Sequence, residues 1–178
     1  VAGTTEQGNN GTIEKYCFNN DTNSCNVYGG LYQWAEAVQY LNNASNTTSW
    51  SPVPTGGVQG ICPTGWRMPT NAEWGTLMTY LGGQSVAGGK LKEAGYTHFA
   101  YPNTGATNLS GYTGLPGGQR FSTGEFKYQT NSGQFWTCTT GADPATDAYY
   151  GGISYSITGS TNGQFYKVVG VSVRCIKN

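Results

Sequence analysis

The residues of this chain with the greatest capacity for chemistry are its five cysteines, Cys17, Cys25, Cys62, Cys138 and Cys175. A zinc site needs closely spaced Cys or His ligands, but the chain has no CxxC pair and only one histidine, His98. Disulfide formation is the better interpretation, and it implies an oxidising compartment. Because the number of cysteines is odd, at least one of them lacks a partner within the chain.

The positions of four cysteines predict two disulfides. Cys17 and Cys25 flank the turn-forming sequence NNDTN, so a local bond closing this loop is expected. Cys175 ends the clearest predicted strand, in which valines alternate with Gly, Ser and Arg over 169–175. Its natural partner is the distant Cys62, and that bond would staple the end of the chain to its first half.

Carboxylates occur close together in TGADPATDAYY, where Asp143 and Asp147 flank a proline. With main-chain carbonyls, two such carboxylates could hold calcium. The simpler interpretation, which we favour, is that both side chains cap turns. The sequence therefore predicts no metal site and no cofactor, with calcium as the open alternative.

Aromatic residues cluster late in the chain, and alternation along strands would direct some of them outward. They are Tyr149, Tyr150, Tyr155, Phe165 and Tyr166. Tyrosines among Gly, Ser and Asn are typical of adaptable binding surfaces, because tyrosine offers a large contact area at low entropic cost. We therefore predict a ligand-binding surface on the loop face of 141–166. The alternative is that half of these rings complete the core.

The composition indicates a loop-rich extracellular protein. Only 10% of the 178 residues are charged and the net charge is zero, whereas about 25% is usual. A basic patch for nucleic acid is not visible, and no apolar run is long enough to span a membrane. Because no linker divides the chain, we predict one domain over 1–178, with an irregular segment 1–13. The chain starts at Val1 without a signal peptide, which suggests a processed or excerpted product.

Helical patterns are confined to the first half. Apolar spacing predicts helices over 31–42 and 71–81, the second beginning at a capping box formed by Thr70 and Glu73. We predict loop and irregular strand over 1–29, and short strands joined by turns beyond residue 84. This layout predicts an α+β fold with its sheet in the second half.

Several large side chains have expected positions. We predict that Trp66 belongs to the core and that Trp50, in a Pro- and Gly-rich loop, is exposed. We also predict that the arginines of this charge-poor chain are partly buried and paired, with Glu73 and Glu125 as the candidate partners. These arginines are Arg67, Arg120 and Arg174.

Six segments in this order resemble a known family. They are YCFNNDTNSCNVYGGLYQW, GICPTGWRMPTNAEW, GGKLKE, NTGATNLSGYTGLPGGQR, GQFWTCTT and VGVSVRCIKN. Together they are similar to the Fibrobacter succinogenes major paralogous domain family over roughly 14–178. The resemblance implies a C-type-lectin-like fold related to formylglycine-generating enzymes, with two helices followed by a twisted antiparallel sheet. It also implies bacterial proteins that are secreted or attached to the cell surface.

The chain departs from the family pattern in two places. A strand that precedes the YC motif in relatives is absent or shortened here, so either 1–13 or another chain must cover the exposed sheet edge. The second departure is Cys138, where the family more often has Ser. We predict that Cys138 is the unpaired cysteine and is buried, with an intermolecular bridge or a bridge to an upstream segment as the alternative.

The function that we predict is non-enzymatic recognition at a bacterial surface, with a glycan or protein ligand. The alternative is a structural subunit of a pilin-like filament, whose partners would be copies of itself. A third hypothesis is an enzyme of the formylglycine-generating type, which would require an exposed and reactive Cys138.

Overall fold

Helices dominate the first half of the chain and strands the second in the computed structural model, which describes all 178 residues. The four α-helices are α1 (Thr22–Tyr28), α2 (Trp34–Ala37), α3 (Asn71–Tyr80) and α4 (Gln84–Leu91). The strands are β1 (Trp66–Arg67), β2 (Gln119–Arg120), β3 (Phe126–Lys127), β4 (Ser132–Thr140), β5 (Asp147–Ser154), β6 (Ser160–Tyr166) and β7 (Ile176–Lys177). Short 3₁₀ turns occupy Phe18–Asn20 and Leu41–Asn43. This combination confirms the predicted α+β class.

The strands form three antiparallel sheets. The largest has the order β4-β5-β6, while β1 pairs with β7 and β2 pairs with β3. The predicted final strand is divided among several partners: 170–172 forms single bridges with Tyr32, Arg120 and Phe135. Regular pairing resumes only in β7. This segment therefore links the sheets, and it forms no long strand of its own.

The central sheet carries an apolar cluster on each face, since successive strand residues point to opposite sides. Phe135 and Ile153 pack with buried residues of α3 and α4. Trp136 and Ala148 pack with Trp34 and other residues from the first half of the chain. The sheet is therefore buried between the two halves of the core.

Helix α3 forms where the sequence predicts it. The Thr70 hydroxyl accepts a hydrogen bond from the Glu73 backbone N–H at 3.2 Å, and a Glu73 carboxylate oxygen accepts from the Thr70 N–H at 2.8 Å. After the helix, Gly82 and Gly83 adopt φ values of 98° and 103°, which side chains rarely adopt. The capping box and this glycine stop are both confirmed.

The predicted helix over 31–42 is wrong in most of its length, because only the four residues of α2 are α-helical. Leu31 instead forms an antiparallel bridge with Tyr16. Gln39 and Tyr40 have φ values of 54° and 51°, so the backbone turns left-handed where the helix was expected to continue. Tertiary pairing has overridden a helical apolar pattern.

Two further helices were not predicted from the sequence. Helix α1 begins inside the Cys17–Cys25 loop and continues beyond Cys25 to Tyr28, and its N-cap Asp21 accepts a hydrogen bond from the Asn23 N–H at 2.9 Å. Helix α4 has the sequence QSVAGGKL, which carries too little apolar patterning to be recognised. The expectation of loop and irregular strand over 1–29 was therefore wrong for 22–28, and the expectation of no helix after residue 84 was wrong for α4.

Trp50 and Trp66 each have the environment that the sequence predicted for the other. Trp50 is buried, with 3% of its surface exposed, and its ring meets Trp34 edge-on at 5.1 Å. Trp66 is 41% exposed because its strand, β1, pairs with β7 at the surface. The expectations of an exposed Trp50 and a core Trp66 were both wrong.

The arginine pairings are confirmed in part, and the prediction for Arg174 is wrong, because Arg174 is exposed and donates to the Tyr112 carbonyl and not to a carboxylate. Arg67 binds Glu73 as predicted. Arg120 is buried, but its partner is Glu6 at 2.6 Å, and Glu125 pairs with Lys127 instead. The burial of Arg120 therefore depends on the N-terminal segment.

The N-terminal residues 1–13 form no regular strand. They are held by polar contacts: the Gln7 N–H donates to the Gln33 side chain at 3.0 Å, and the Gln33 N–H donates to the Gln7 side chain at 2.7 Å. The carbonyl oxygen of Gly3 accepts from Arg120 Nε at 2.7 Å. This segment thus packs on the domain without forming a regular strand before the YC motif.

The cysteines have the predicted arrangement. Disulfides join Cys17 to Cys25 and Cys62 to Cys175, and Cys138 is free and buried. None of the helices has the length and apolar character that crossing a bilayer requires.

Candidate functional site

A cleft lined by aromatic side chains opens between α3 and the C-terminal segment. Its volume is about 330 Å³. The lining residues are Trp66, Pro69, Glu73, Trp74, Leu77, Tyr112, Arg174, Cys175, Ile176 and Lys177. Most of the surface inside the cleft is apolar, and its charged lining residues are Glu73, Arg174 and Lys177. A concave apolar surface with a few polar groups is the usual form of a ligand site.

Strand pairing and a disulfide hold one wall of this cleft. In the β1–β7 pair, Trp66 lies opposite Lys177 and Arg67 lies opposite Ile176. The Cys62–Cys175 bond ties the same two segments together. The exposed Trp66 ring therefore stands on a cross-linked backbone, which limits the entropy that it would lose on binding.

The opposite wall belongs to the second apolar cluster. Trp74 is 3% exposed, and its ring meets Tyr112 edge-on at a centroid distance of 6.1 Å. Phe135 lies behind both rings, 5.6 Å from Tyr112. Burial raises the pKa of the Tyr112 hydroxyl, which therefore stays neutral at physiological pH. These rings are fixed by packing before any ligand arrives.

The Trp74 wall also depends on a glycine. A Cβ atom at Gly151 would lie 1.9 Å from the Trp74 ring, so only glycine lets the indole rest on the sheet. Gly151 is part of β5 and pairs with Phe135 of β4. The central sheet thereby sets the depth of the cleft.

Charged groups of both signs border the aromatic walls. The Arg67 guanidinium donates to both Glu73 carboxylate oxygens, at 2.8 and 2.5 Å. This contact, with the Thr70 hydrogen bonds, lowers the pKa of Glu73 to about 2. The Arg174 guanidinium lies 4.7 Å from the Tyr112 ring centroid and donates to the Tyr112 carbonyl. Hydrogen-bonding groups are thus held in fixed positions beside stacking surfaces.

The predicted tyrosine surface is only partly assembled. Asp147 and Tyr149 of β5 point to the same face of the sheet. Asp147 lies opposite Tyr166 of β6, and Tyr149 lies opposite Gln164. Tyr166 is 66% exposed. These side chains share one face of the sheet near the predicted loop. A binding surface on this face stays a prediction.

Two of the predicted tyrosines lie elsewhere. Tyr150 points to the other face, where it stacks on Phe165 at 4.1 Å and packs against the first core cluster. Tyr155 packs against the second cluster. Tyr150 therefore lies on the face opposite Tyr149 and Tyr166, whereas Tyr155 follows the end of β5 and contributes to the core.

The loop that carries Asp143 and Asp147 encloses an ammonium group of the protein itself. Lys167 is fully buried and its Nζ donates to the Pro144 carbonyl at 2.8 Å. Burial lowers the pKa of Lys167 to about 8, although both aspartates oppose this shift. Asp143 caps the turn by accepting from the Ala145 N–H at 2.9 Å. The chain contains no group of three or more His, Cys, Asp or Glu side chains placed to share a metal.

Cys138 is 4% exposed and belongs to the first core cluster. Burial raises its thiol pKa, which disfavours the thiolate. A nucleophilic cysteine needs the opposite conditions, namely access and a lowered pKa. The environment of Cys138 is therefore that of a packed core residue.

The sequence model of the Fibrobacter succinogenes major domain matches residues 3–177. The chain belongs to this family. Comparison with curated proteins and with solved structures found no match.

This member of the Fibrobacter succinogenes major domain family builds its cleft from its own motif residues. Trp66 and Trp74 both lie in GICPTGWRMPTNAEW, the segment that sequence reasoning assigned to architecture alone. The sequence signal that could have revealed a site is Trp66, which follows the disulfide cysteine Cys62 by four residues. Tyr112 and Ile176 carried no such signal, because only the tertiary fold brings them to Trp66.

Proposed function

We propose that this chain is a non-enzymatic recognition domain, secreted or displayed at a bacterial surface, whose aromatic cleft binds a glycan. The observation that carries the proposal is the exposed Trp66 ring standing above a preformed cleft of about 330 Å³. Tryptophan is amphipathic and buries a large area, so its exposure on a rigid strand favours a role in binding.

The choice of a glycan follows from the chemistry of the cleft. The apolar C–H face of a sugar ring can stack on Trp66, while its hydroxyls need paired donors and acceptors. Arg174 and Lys177 supply donors at the border of the cleft, and Glu73 supplies an acceptor. Charges of both signs favour a neutral polar ligand over a strongly acidic or basic one.

An extracellular setting is supported by the two disulfides, which persist in oxidising compartments. It is also supported by the scarcity of charged residues, 10% of the chain. We further propose that the fold is related to C-type lectins. The supporting features are the helices before a three-stranded antiparallel sheet and the return of the C-terminus to pair with β1.

The environment of Cys138 favours recognition over the formylglycine-generating alternative, because a buried thiol with a raised pKa is a poor nucleophile. The filament alternative has one specific observation in its favour, the uncovered outer edge of β6. That edge is separate from the cleft, since no lining residue belongs to β6.

The proposal is tested by screening the labelled chain against an array of bacterial and plant glycans. We expect binding that Trp66→Ala abolishes and that Tyr149→Ala with Tyr166→Ala leaves unchanged. Loss of binding in the tyrosine variant alone would move the site to the predicted tyrosine surface. Absence of binding to any glycan, with capture of a purified surface protein instead, would replace the glycan by a protein ligand.

A further inference from the structure

The outer edge of β6 is open, whereas the other edge of the same sheet is occupied. At β4, Gly133 bridges Gly118, and the Trp136 N–H donates to the Ser172 carbonyl at 3.0 Å. At β6 the order β4-β5-β6 ends without a further strand. Ser160, the first residue of β6, is buried beside α4, so the sheet presents unpaired backbone groups to the outside over the rest of β6.

The hydrogen-bond pattern identifies which backbone groups face outward. The Lys167 N–H donates to the Thr146 carbonyl at 2.7 Å, which fixes the alternation of hydrogen-bonded pairs along β5 and β6. Counting in steps of two from Lys167, the backbone groups of 165, 163 and 161 face β5, so those of Asn162, Gln164 and Tyr166 point away from it. The outward carbonyl of Tyr166 already accepts from the Val169 N–H at 2.9 Å. Gln164 and Tyr166 are exposed and Asn162 is half-buried, so the row is accessible around Gln164 and Tyr166.

The edge lacks the devices by which proteins usually protect open strands. The sequence of β6 is STNGQFY, with no charge and no proline. Its register with β5 is continuous from Ser160 to Tyr166, without a bulge. An unprotected and regular edge is a template for another strand.

We propose that β6 pairs in antiparallel fashion with β6 of a second copy of this chain, around a two-fold axis at Gln164. In this register Gln164 lies opposite its own counterpart, and Asn162 lies opposite Tyr166 of the second copy. The two Gln164 residues then exchange N–H and C=O bonds, and each Asn162 carbonyl accepts from the Tyr166 N–H across the axis, while the Tyr166 carbonyl keeps its bond to Val169. The two central sheets become one continuous sheet.

A second copy fits this edge better than a charged partner does. The strand offers no charged group to complement an acidic or basic segment. It also carries no charge that would repel its own copy, and the whole chain has zero net charge. Pairing would cover Tyr166 and leave the aromatic cleft accessible, because β1, β7 and α3 form the cleft.

The test is a charge exchange at the axis, measured by sedimentation velocity over a series of concentrations. We expect a concentration-dependent dimer of the wild-type chain. Gln164→Lys or Gln164→Glu should each weaken the dimer at least tenfold, because the axis places like charges opposite each other. An equimolar mixture of the two variants should dimerise again, as Lys then faces Glu.

Controls separate the edge from other effects. Gln164→Ala removes the bond from the Ala142 N–H to the Gln164 side chain but adds no charge, so its dimer should persist. Thr47→Lys and Thr47→Glu make the same charge changes at an exposed position outside the sheet and should leave the dimer intact. A wild-type chain that is monomeric at every concentration overturns the proposal. So does a dimer that is indifferent to Gln164→Lys, or a mixture that does not recover.

Discussion

Glu73 serves two structures at once at the mouth of the cleft. Its carboxylate accepts from the Thr70 N–H, which closes the capping box of α3, and it also binds the Arg67 guanidinium. Arg67 is a residue of β1, so this single side chain joins the helix to the strand that carries Trp66. The orientation of the two cleft walls therefore depends on the ionised form of Glu73.

The first prediction concerns acid stability. The folded pKa of Glu73, about 2, lies below the ordinary 4.5 because of the Arg67 contact and the Thr70 hydrogen bonds. The stability that this group contributes is present above pH 4.5 and is lost as the pH falls toward 2. Glu73→Gln should lower the melting temperature at pH 7, and the difference from wild type should shrink below pH 4.5. Glu125→Gln is the control, since that carboxylate is more exposed, and a constant difference across pH would contradict the assignment.

The second prediction concerns Cys138. Because its thiol is buried and has a raised pKa, iodoacetamide should leave it unmodified in the native chain. It should react fully once guanidinium unfolds the chain. Intact-mass spectrometry before and after unfolding measures both states. Rapid native labelling would show an accessible thiol and would revive the enzymatic hypothesis.

Residue types alone predicted some of these environments and not others. The pairing of Cys62 with Cys175 could be predicted, because few alternatives exist and the final strand ends at a cysteine. The exchange between Trp50 and Trp66 could not be predicted, because both lie in Pro- and Gly-rich sequence. Their exposure depends on where Trp34 and β7 lie in three dimensions.

At the scale of elements, α3 and α4 differ in how they depend on their surroundings. Helix α3 has a capping box and a glycine stop, and these local signals made it predictable. Helix α4 contains Gly88 and Gly89, which lower its intrinsic helix propensity. Both glycines lie against other backbone segments. Packing therefore requires glycine at these positions, although glycine has a low helix propensity.

The third prediction compares glycines in these two helices. A Cβ at Gly88 would lie 1.9 Å from the carbonyl oxygen of Gly159, which is backbone and cannot rotate away. Gly88→Ala should therefore destabilise the fold by about 2 kcal/mol or more. At Gly75 of α3 a Cβ meets nothing within 4 Å. Gly75→Ala should stabilise by about 0.5–1 kcal/mol. Urea denaturation of both variants measures the difference, and equal effects would show that α4 does not pack as described.

The cleft illustrates the limit of element-level reasoning. The stretch around Trp66 and Trp74 was recognised as ordered, and the helix start within it is correct. Its role as the wall of a cleft depends on Tyr112 and Ile176, which lie about 40 and 100 residues further along the chain. Contacts at such separations leave no periodic signal in the sequence.

At the scale of the whole molecule, the two disulfides close loops of very different length. Cys62–Cys175 spans a sequence separation of 113 residues, whereas Cys17–Cys25 spans 8. In the chain-entropy model a longer loop constrains the unfolded chain more. The long bond also fixes the β1–β7 wall of the cleft.

The fourth prediction follows from this difference. Replacing Cys62 and Cys175 together by Ser should cost about 5 kcal/mol of unfolding free energy, and replacing Cys17 and Cys25 about 2–3 kcal/mol. Guanidinium denaturation of the two double variants provides the values. A smaller effect for the 62–175 variant than for the 17–25 variant would show that loop closure does not govern the stability of this fold.

The central claim, that the aromatic cleft is a glycan site, is tested most directly by calorimetric titration of the glycan that binds best in the array. Wild type and Trp66→Ala are compared, with melting temperatures measured on the same samples. Because Trp66 is 41% exposed, its removal should lower the melting temperature less than loss of a core tryptophan would, and it should weaken binding at least tenfold. Equal affinity of the two chains, both folded at the temperature of the titration, would contradict the assignment of the cleft as the binding site.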